Sequence, residues 1–177
     1  GLSCVVGLAV LDVLIDLGVE GARLKWPNDV WIQGSKLAGI LVELANRGSS
    51  TIAVIGLGMN IALTPEERAA VDQPIADLLS RGVAVDRNSL LMAFVEKMAS
   101  YLRHFEHSGF EAFRSAFDAV HLLHRRDVVV HSATEGKSLL THGSVEGVGG
   151  SGQLLIRTSR GLEEMLGGEV SLRPADY

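Results

Sequence analysis

Two lysines, an asparagine and an aspartate lie close together in the stretch KWPNDVWIQGSKLAGILVE, residues 25–43. Lys25 precedes a Pro-Asn-Asp turn that contains Asn28 and Asp29. Lys36 begins a segment that is otherwise apolar. An ammonium group held beside buried surface is suited to binding an anion, either a carboxylate or a phosphate. Each of these residues alone is more typical of a solvated hairpin. As a group they indicate an anion-binding site with Lys36 as its cation.

Two glycines, Gly39 and Gly56, lie nearby in the predicted strands that follow and could let a ligand lie against bare backbone. The segment GLGMN, residues 56–60, follows a predicted strand and raises the question of a dinucleotide-binding fingerprint. That fingerprint needs a third small residue and an opening helix, whereas this chain has Ile61 and a delaying Pro65. A Rossmann fold is therefore rejected. The glycines indicate either a close ligand approach or a β-bulge, and the bulge is the more common reason.

Other catalytic patterns are incomplete. The segment EGKS at 135–138 ends like a phosphate-binding loop, but His131 stands where that loop needs its first glycine, so a hairpin turn is predicted. The chain has no Gly-x-Ser-x-Gly elbow, and its one cysteine, Cys4, has no partner pattern. Four histidines lie three residues apart in pairs without a framing carboxylate motif, so no metal site is predicted and solvated side chains are expected. They are His104 and His107, and His121 and His124.

Antiparallel strands behind a helix are predicted to position the anion site. The opening apolar segment predicts a buried helix with Asp12 and Asp16 on one wet face, ended by Gly18 and Gly21. Strand-like runs follow at 22–26, 30–33, 36–45 and 51–63. Gly34-Ser35 predicts a two-residue hairpin turn between the second and third of these. The four runs together predict an antiparallel meander.

Helices are predicted in the middle of the chain. Thr64 is a typical N-cap residue and Pro65 suits the first helical position, so a short helix is predicted to start here. A long helix should begin at Asn88 or Ser89, because apolar residues recur at three- and four-residue spacing as far as Phe105. It should cover the sheet, and a further helix is predicted at 110–120.

The sequence pattern changes near Arg125, where short strand-like runs alternate with glycine turns. This pattern predicts a small β-barrel of about 50 residues, a size at which a core alone is marginal. The barrel is therefore expected to pack against the first part of the chain. The predicted domains are 1–122 and 123–177.

The bulk composition limits the classes of function. The chain of 177 residues is 47% hydrophobic and carries a net charge of −5, so it lacks the basic footprint of a nucleic-acid-binding protein. A single cysteine excludes an internal disulfide framework and a cysteine-cluster zinc site. The opening apolar run is too short and too acidic for a membrane span, and no signal peptide is evident. A cytoplasmic location and no membrane partner are expected.

Three ordered blocks of the sequence resemble the central domain of biotin protein ligases. They are Lys-Trp-Pro-Asn-Asp at 25–29, Lys-Leu-Ala-Gly-Ile-Leu at 36–41 and Gly-x-Gly-x-Asn at 56–60. The tail GGEVSLRPAD also resembles the end of the family's SH3-like domain. The resemblance implies an α+β fold in which an antiparallel or mixed sheet packs with helices, like a class II synthetase. Residues 1–122 would be a partial biotin- and ATP-binding catalytic domain, and residues 123–177 an SH3-like barrel.

The resemblance also implies the reaction. Biotin and ATP would form biotinyl-5′-AMP with the help of Mg²⁺, and a lysine of the biotin carboxyl-carrier protein of acetyl-CoA carboxylase would then accept biotin. Lys36 would hold the biotin carboxylate and the α-phosphate, and Asn60 would contact the adenine edge. Asp29 and Asn28 would position Lys36, a metal or the incoming lysine. The implied catalytic residues are Lys36 and Asp29, and the implied binding residues are Lys25, Trp26, Asn28, Gly39, Ile40, Gly56, Gly58 and Asn60.

The family's Gly-Arg-Gly-Arg loop, which would precede the first helix, does not occur in the sequence. The chain is therefore expected to be a fragment with about half of the active site, inactive by itself. Nucleic-acid binding is expected only if a helix-turn-helix lies upstream. Two alternatives stay open: a non-catalytic binding module that dimerises through sheet edges, and a lipoate-type ligase, whose family shares the fold.

Overall fold

The computed structural model of the chain describes residues 1–48, 50–134, 137–167 and 170–174. The Glu135-Gly136 part of the predicted EGKS turn lies outside the described residues. So do 168–169 and 175–176 of the GGEVSLRPAD tail.

The first part of the chain is a helix packed on a four-stranded antiparallel sheet, as predicted. The strand order is the chain order, so the sheet is a meander. Helix α1 is buried on almost every side, and Val5, Val10 and Leu14 have no exposed surface. An all-round apolar helix of this kind has to be enclosed by other elements. The elements are α1 (Leu2–Asp16), β1 (Ala22–Lys25), β2 (Asp29–Ile32), β3 (Ser35–Arg47) and β4 (Ser50–Met59).

The tight turn between β2 and β3 is one residue earlier than predicted. Ile32 pairs with Ser35, so the two turn residues are Gln33 and Gly34. Both have positive φ, 47° and 77°, which is the left-handed geometry of a type I′ hairpin turn. The prediction of Gly34-Ser35 was wrong because it assumed glycine in the first turn position.

Helices α2 (Pro65–Ala69), α3 (Arg87–Ser108) and α4 (Arg114–Val120) follow. The Thr64 side chain caps α2 in a capping box with Glu67, as the sequence indicates. The cap of α3 is Asp86, whose carboxylate accepts a hydrogen bond from Ser89 N at 2.9 Å, so a start at Asn88 or Ser89 was wrong by one or two residues.

Helix α3 packs mainly on α1, and the prediction that it covers the sheet was wrong. The Tyr101 hydroxyl donates a hydrogen bond to Asp12 at 2.7 Å, and Lys97 forms an ion pair with Asp16 at 3.1 Å. Helix α1 therefore separates α3 from the strands. Because both faces of α1 are covered, its apolar sequence carries no polar stripe beyond these two carboxylates.

The last part of the chain is a five-stranded antiparallel sheet with the order β8-β7-β6-β5-β9. One of these strands, β8, was not predicted, because two adjacent glutamates break the alternation that marks a strand. The Asp118 carboxylate on α4 accepts a hydrogen bond from Val148 N at 3.0 Å and joins the sheet to the helices. The strands are β5 (Asp127–Thr134), β6 (Lys137–Val148), β7 (Leu154–Thr158), β8 (Gly161–Met165) and β9 (Val170–Pro174).

No helix within the described ranges has both the length and the hydropathy that a bilayer crossing needs.

His121, directly after α4, is a buried core residue, so the expectation of a solvated side chain was wrong here. It is 5% exposed, stacks on Phe117 at a ring-centroid distance of 5.4 Å, and its backbone lies in a bridge with Leu24 of β1. Neither ring nitrogen has a hydrogen-bond partner in the described part of the chain. Burial, with a smaller contribution from His124, lowers the pKa of His121 to about 3.

We expect His121 to make the fold sensitive to acid. Between its unfolded pKa of 6.5 and its folded pKa of about 3, the unfolded chain binds a proton that the folded chain does not. The free energy of unfolding should therefore decrease as the pH is lowered, and this group should contribute ~1.4 kcal/mol per pH unit to that decrease. His121→Phe keeps the ring stack and removes the titration, so urea denaturation between about pH 7 and about pH 5 should show a shallower decline for the variant. Parallel declines in the two proteins would contradict this role.

Candidate anion-binding site

Four residues form one row across the first sheet. Lys25 pairs with Asp29, Asp29 with Gly39, and Gly39 with Gly58. Cross-strand partners point to the same face of a sheet, so this row places a cation, a carboxylate and two bare backbone positions side by side. Gly56 lies two residues before Gly58 and shares that face.

Lys36 reaches this row from the start of β3. Its Nζ lies 2.7 Å from Asp29 Oδ1, and the two side chains are 27% and 20% exposed. A contact this short is a charge-assisted hydrogen bond, and it fixes the end of a side chain that is flexible in water. The ammonium group is therefore held at the surface of the sheet with its remaining donors available to a ligand.

Gly39 makes room for this pair. A Cβ at residue 39 would lie 3.4 Å from Lys36 Nζ and 3.6 Å from Asp29 Oδ1. A side chain longer than alanine would have to displace one of the two charged groups. The sequence indicated that a ligand could approach the backbone closely at Gly39. In the structure the groups nearest to Gly39 are the two charged side chains of the ion pair.

Beside the ion pair the sheet surface forms an open depression of about 420 Å³. Its floor includes Gly56 and Gly58, and a Cβ at either position would meet only ordinary contacts of 3.8–3.9 Å. The missing side chains thus expose main chain over an area where a flat ligand could lie. The volume is within the ~300–1,000 Å³ of small-molecule sites. The lining residues are Asn28, Asp29, Lys36, Gly39, Ile40, Leu41, Gly56, Leu57 and Gly58.

The Pro-Asn-Asp turn is fixed against β3 by two hydrogen bonds. Asn28 Nδ2 donates to the Ile40 carbonyl at 2.8 Å, and Ile40 N donates to the Asn28 carbonyl at 2.8 Å. This reciprocal pair sets the direction in which Asp29 leaves the turn. The Asn28 amide nitrogen is therefore occupied in holding the turn, and Asp29 is the group that contacts Lys36.

Three of the predicted binding residues lie outside the lining of the depression. Trp26 is 3% exposed in the core, and its indole N–H donates to the Gly152 carbonyl at 2.9 Å. Lys25 lies over the Trp31 ring at 4.8 Å from its centroid. Asn60 directs its amide nitrogen to the Ala76 carbonyl at 3.0 Å. Trp26 thus belongs to the core and not to the lining of the depression.

Sequence reasoning missed two residues on this face. Leu41 lies opposite Gly56, is 60% exposed and forms the apolar side of the depression. Trp31 pairs with both Arg23 and Lys36 across the sheet. The alternation of strand side chains, counted from Gly39, would have placed Leu41 on the ligand face.

Within the part of the chain that the structure describes, no group of three or more His, Cys, Asp or Glu side chains is arranged to hold a metal ion. The His104 ring packs on the Phe113 ring at a centroid distance of 4.8 Å. His124 Nδ1 lies 3.9 Å from Asp118 Oδ1.

Comparisons of the sequence with known proteins agree on one family. The model of the biotin/lipoate A/B protein ligase family matches residues 1–60. The bifunctional ligase/repressor BirA of Escherichia coli (strain K12) is 34% identical over 177 residues, covering 99% of this chain and 54% of BirA. The biotin–[acetyl-CoA-carboxylase] ligase of Paracoccus denitrificans is 32% identical, covering 96% of this chain and 71% of that protein. The chain spans about half the length of the BirA relatives that it matches.

Solved structures agree with these relatives. The apo biotin protein ligase of Aquifex aeolicus superposes with a TM-score of 0.83 at 28% identity, covering 98% of this chain and 75% of that chain. The Aquifex aeolicus ligase in complex with biotin and ATP gives a TM-score of 0.80 at 27% identity, covering 98% of this chain and 71% of that chain.

The hydrogen bond from Trp26 to Gly152 joins the Lys-Trp-Pro-Asn-Asp turn to the second sheet, and we expect it to stabilise the fold. Trp26→Phe keeps an aromatic ring and leaves the buried Gly152 carbonyl without its donor, which should lower the free energy of unfolding by about 1–3 kcal/mol. Trp31→Phe is the matched control, because the Trp31 indole N–H has no hydrogen-bond partner within the described ranges. Urea denaturation measures both, and equal losses in the two variants would contradict the role of this hydrogen bond.

Proposed function

The chain belongs to the biotin protein ligase family, and from that premise we propose that it is a large part of an ATP-dependent biotin–protein ligase. The observation that carries the proposal is the Asp29–Lys36 pair, held at 2.7 Å beside a depression with a glycine floor. This arrangement offers one fixed cation and uncovered main chain to a ligand that brings an anion and a flat ring system.

The first step is the attack of the biotin carboxylate on the α-phosphorus of ATP. A carboxylate oxygen bonds to phosphorus, the bond to the leaving pyrophosphate breaks, and biotinyl-5′-AMP forms. Two anions must approach each other, so a cation that contacts both lowers the barrier most in the transition state. Lys36 supplies that charge, since its ammonium has three donors of which Asp29 uses one.

The second step is the attack of a carrier lysine on the mixed anhydride. Its amine nitrogen bonds to the biotinyl carbonyl carbon, AMP leaves, and an amide results. Lys36 beside the α-phosphate would stabilise the departing AMP. Among the roles that the sequence left open for Asp29, the distance of 2.7 Å favours holding Lys36 in place. Asn28 acts indirectly, through the turn that carries Asp29.

Biotin and the nucleotide would lie over the face that carries Gly39, Gly56 and Gly58. Ile40 and Leu41 provide apolar surface next to the backbone. Three other residues lie nearby. Lys25 pairs with Asp29 in the same row, Trp26 is buried at the start of the turn, and Asn60 directly follows β4. With its amide nitrogen bonded to Ala76, Asn60 would offer its oxygen to the adenine amino group.

Mg²⁺ would arrive with ATP. Asp29 is the carboxylate that lines the depression, and it is already bonded to Lys36. This donor set fits a magnesium ion held mainly by substrate phosphates and water, with Asp29 as the candidate protein ligand. The ion would neutralise charge on the phosphates.

The acceptor that we propose is the biotin carboxyl-carrier protein of acetyl-CoA carboxylase, in the cytoplasm. The Paracoccus denitrificans relative is named for this carboxylase. We further propose that β5–β9 form the SH3-like unit of the family, which the five short antiparallel strands support. A lipoate-type ligase is the second candidate, because the matching family model includes lipoate ligases.

A homodimer through the edge of β4 is also proposed. Among the described strands, β4 is the last of its sheet, and its outer edge is ten residues long. Ile52 and Val54 in this strand are 42% and 55% exposed. Long apolar edges of this kind tend to pair with another strand, here one from a second copy of the chain.

We expect Lys36→Gln to abolish adenylation. Biotin-dependent exchange of pyrophosphate into ATP, measured on the full-length gene product, should fall by about 10²–10³-fold because the stabilising charge is lost. Lys97→Gln is the control, since it removes the same charge from α3 far from the depression. Replacing biotin with lipoate in the assay separates the two candidate functions. Normal exchange by Lys36→Gln would refute the role of Lys36.

We expect sedimentation analysis of the full-length gene product to show a dimer, at least with biotin and ATP present. Val54→Lys places a charge on the β4 edge and should shift the equilibrium towards monomer. Val71→Lys, at another exposed valine, should leave it unchanged. A protein that stays monomeric at high concentration with both substrates would rule out this interface.

A further inference from the structure

Lys36 lies where β3 extends beyond its neighbour β4. The β3–β4 ladder stops at Met59, which pairs with Ala38. A different segment takes over from there. Lys36 N donates to the Pro74 carbonyl and Ala76 N donates to the Lys36 carbonyl, each at 2.9 Å, with Ile75 beside Lys36 in a parallel bridge. Residues 74–76 thus replace β4 at the one position in the strand that carries the candidate catalytic cation.

This segment is tied to the end of β4 by Asn60. Its amide nitrogen donates to the Ala76 carbonyl at 3.0 Å, and Leu78 N donates to the Asn60 carbonyl at 3.1 Å. Asn60 N in turn donates to the Leu37 carbonyl, next to Lys36, at 3.0 Å. The backbone around Lys36 is therefore held from both the β4 end and the 74–76 segment.

The segment is anchored by a buried charge at Asp77. Its residue is 1% exposed, and its carboxylate accepts a hydrogen bond from Ser80 N at 2.8 Å. The guanidinium of Arg68, from α2, forms an ion pair with the same carboxylate. Arg68 Nη1 also donates to the Ile75 carbonyl at 3.5 Å. A buried carboxylate is tolerated only with such partners, so Asp77 determines where the segment lies.

We propose that Asp77 is a positioning residue for Lys36: the Arg68–Asp77 pair holds residues 74–76, and these hold the backbone of Lys36 so that its ammonium group meets Asp29. This inference rests on the proposed function of Lys36. A buried pair that served stability alone could lie anywhere in the core. This pair lies next to a segment that hydrogen-bonds both main-chain groups of Lys36. A displacement of about 1 Å is enough to reduce catalysis strongly.

The test compares Asp77→Asn with Asp72→Asn. Both remove one negative charge within two residues of the 74–76 segment, but Asp72 is exposed. The first readout needs no catalysis: brief amine labelling of the full-length gene product, with the labelled fraction of Lys36 divided by that of Lys97. The second readout is biotin-dependent pyrophosphate exchange, resolved into kcat and the KM for biotin. Thermal unfolding confirms that each variant is folded at the assay temperature.

In Asp77→Asn we expect the Lys36-to-Lys97 labelling ratio to rise several-fold and kcat to fall by about ten- to a hundredfold. Asp72→Asn should leave both unchanged. An unchanged labelling ratio in folded Asp77→Asn overturns the positioning role, whether or not the protein ligates biotin. A raised ratio together with no exchange in the unmodified protein supports the positioning role and contradicts only the proposed function.

Arg68→Lys covers the case in which Asp77→Asn does not fold. It keeps a cation beside the buried carboxylate and loses the second guanidinium nitrogen, which donates to the Ile75 carbonyl. The labelling ratio should rise in the same direction and less far. A folded Arg68→Lys with the ratio of the unmodified protein would overturn the proposal equally well.

Discussion

The contact between Lys36 and Asp29 is the constraint on which the rest of the site depends. A lysine at the start of an apolar strand has to keep its charge at the surface, and the carboxylate 2.7 Å away gives that charge one place. The pair needs a turn that aims Asp29, a bare residue at Gly39, and backbone support for Lys36 beyond the end of β4. Each of these requirements corresponds to a feature of the fold.

The features that support the ion pair differ from those that would receive the ligand. The Asn28–Ile40 hydrogen bonds and the 74–76 segment fix backbone positions, and α1 beneath the sheet supplies the packed core. Gly56 and Gly58 contribute by what they lack, since a missing side chain leaves main chain exposed at no cost in core packing. A rigid edge next to an open floor is what a reaction that joins two charged substrates requires.

The sequence predicted the elements whose signals are local. Helix α1, the four-stranded meander and the capped start of α2 follow from the apolar opening run, the strand-like runs between glycine turns, and the Thr64 cap. The candidate ligand face could also be predicted in part, because closeness along the chain and the resemblance brought Lys36, Asp29 and the glycines together. Contacts between distant parts of the chain could not be predicted. The placement of Trp26 against Gly152, the burial of His121 and the support of Lys36 by residues 74–76 depend on tertiary packing, which leaves no periodic mark in the sequence.

We propose that the substrates meet at Lys36 over the glycine floor. A crystal structure of the full-length gene product with a non-hydrolysable analogue of biotinyl-5′-AMP tests it most directly. We expect the phosphate within hydrogen-bond distance of Lys36 Nζ and the ligand lying over Gly39, Gly56 and Gly58. A ligand bound at another surface, or a phosphate that does not contact Lys36, would contradict it.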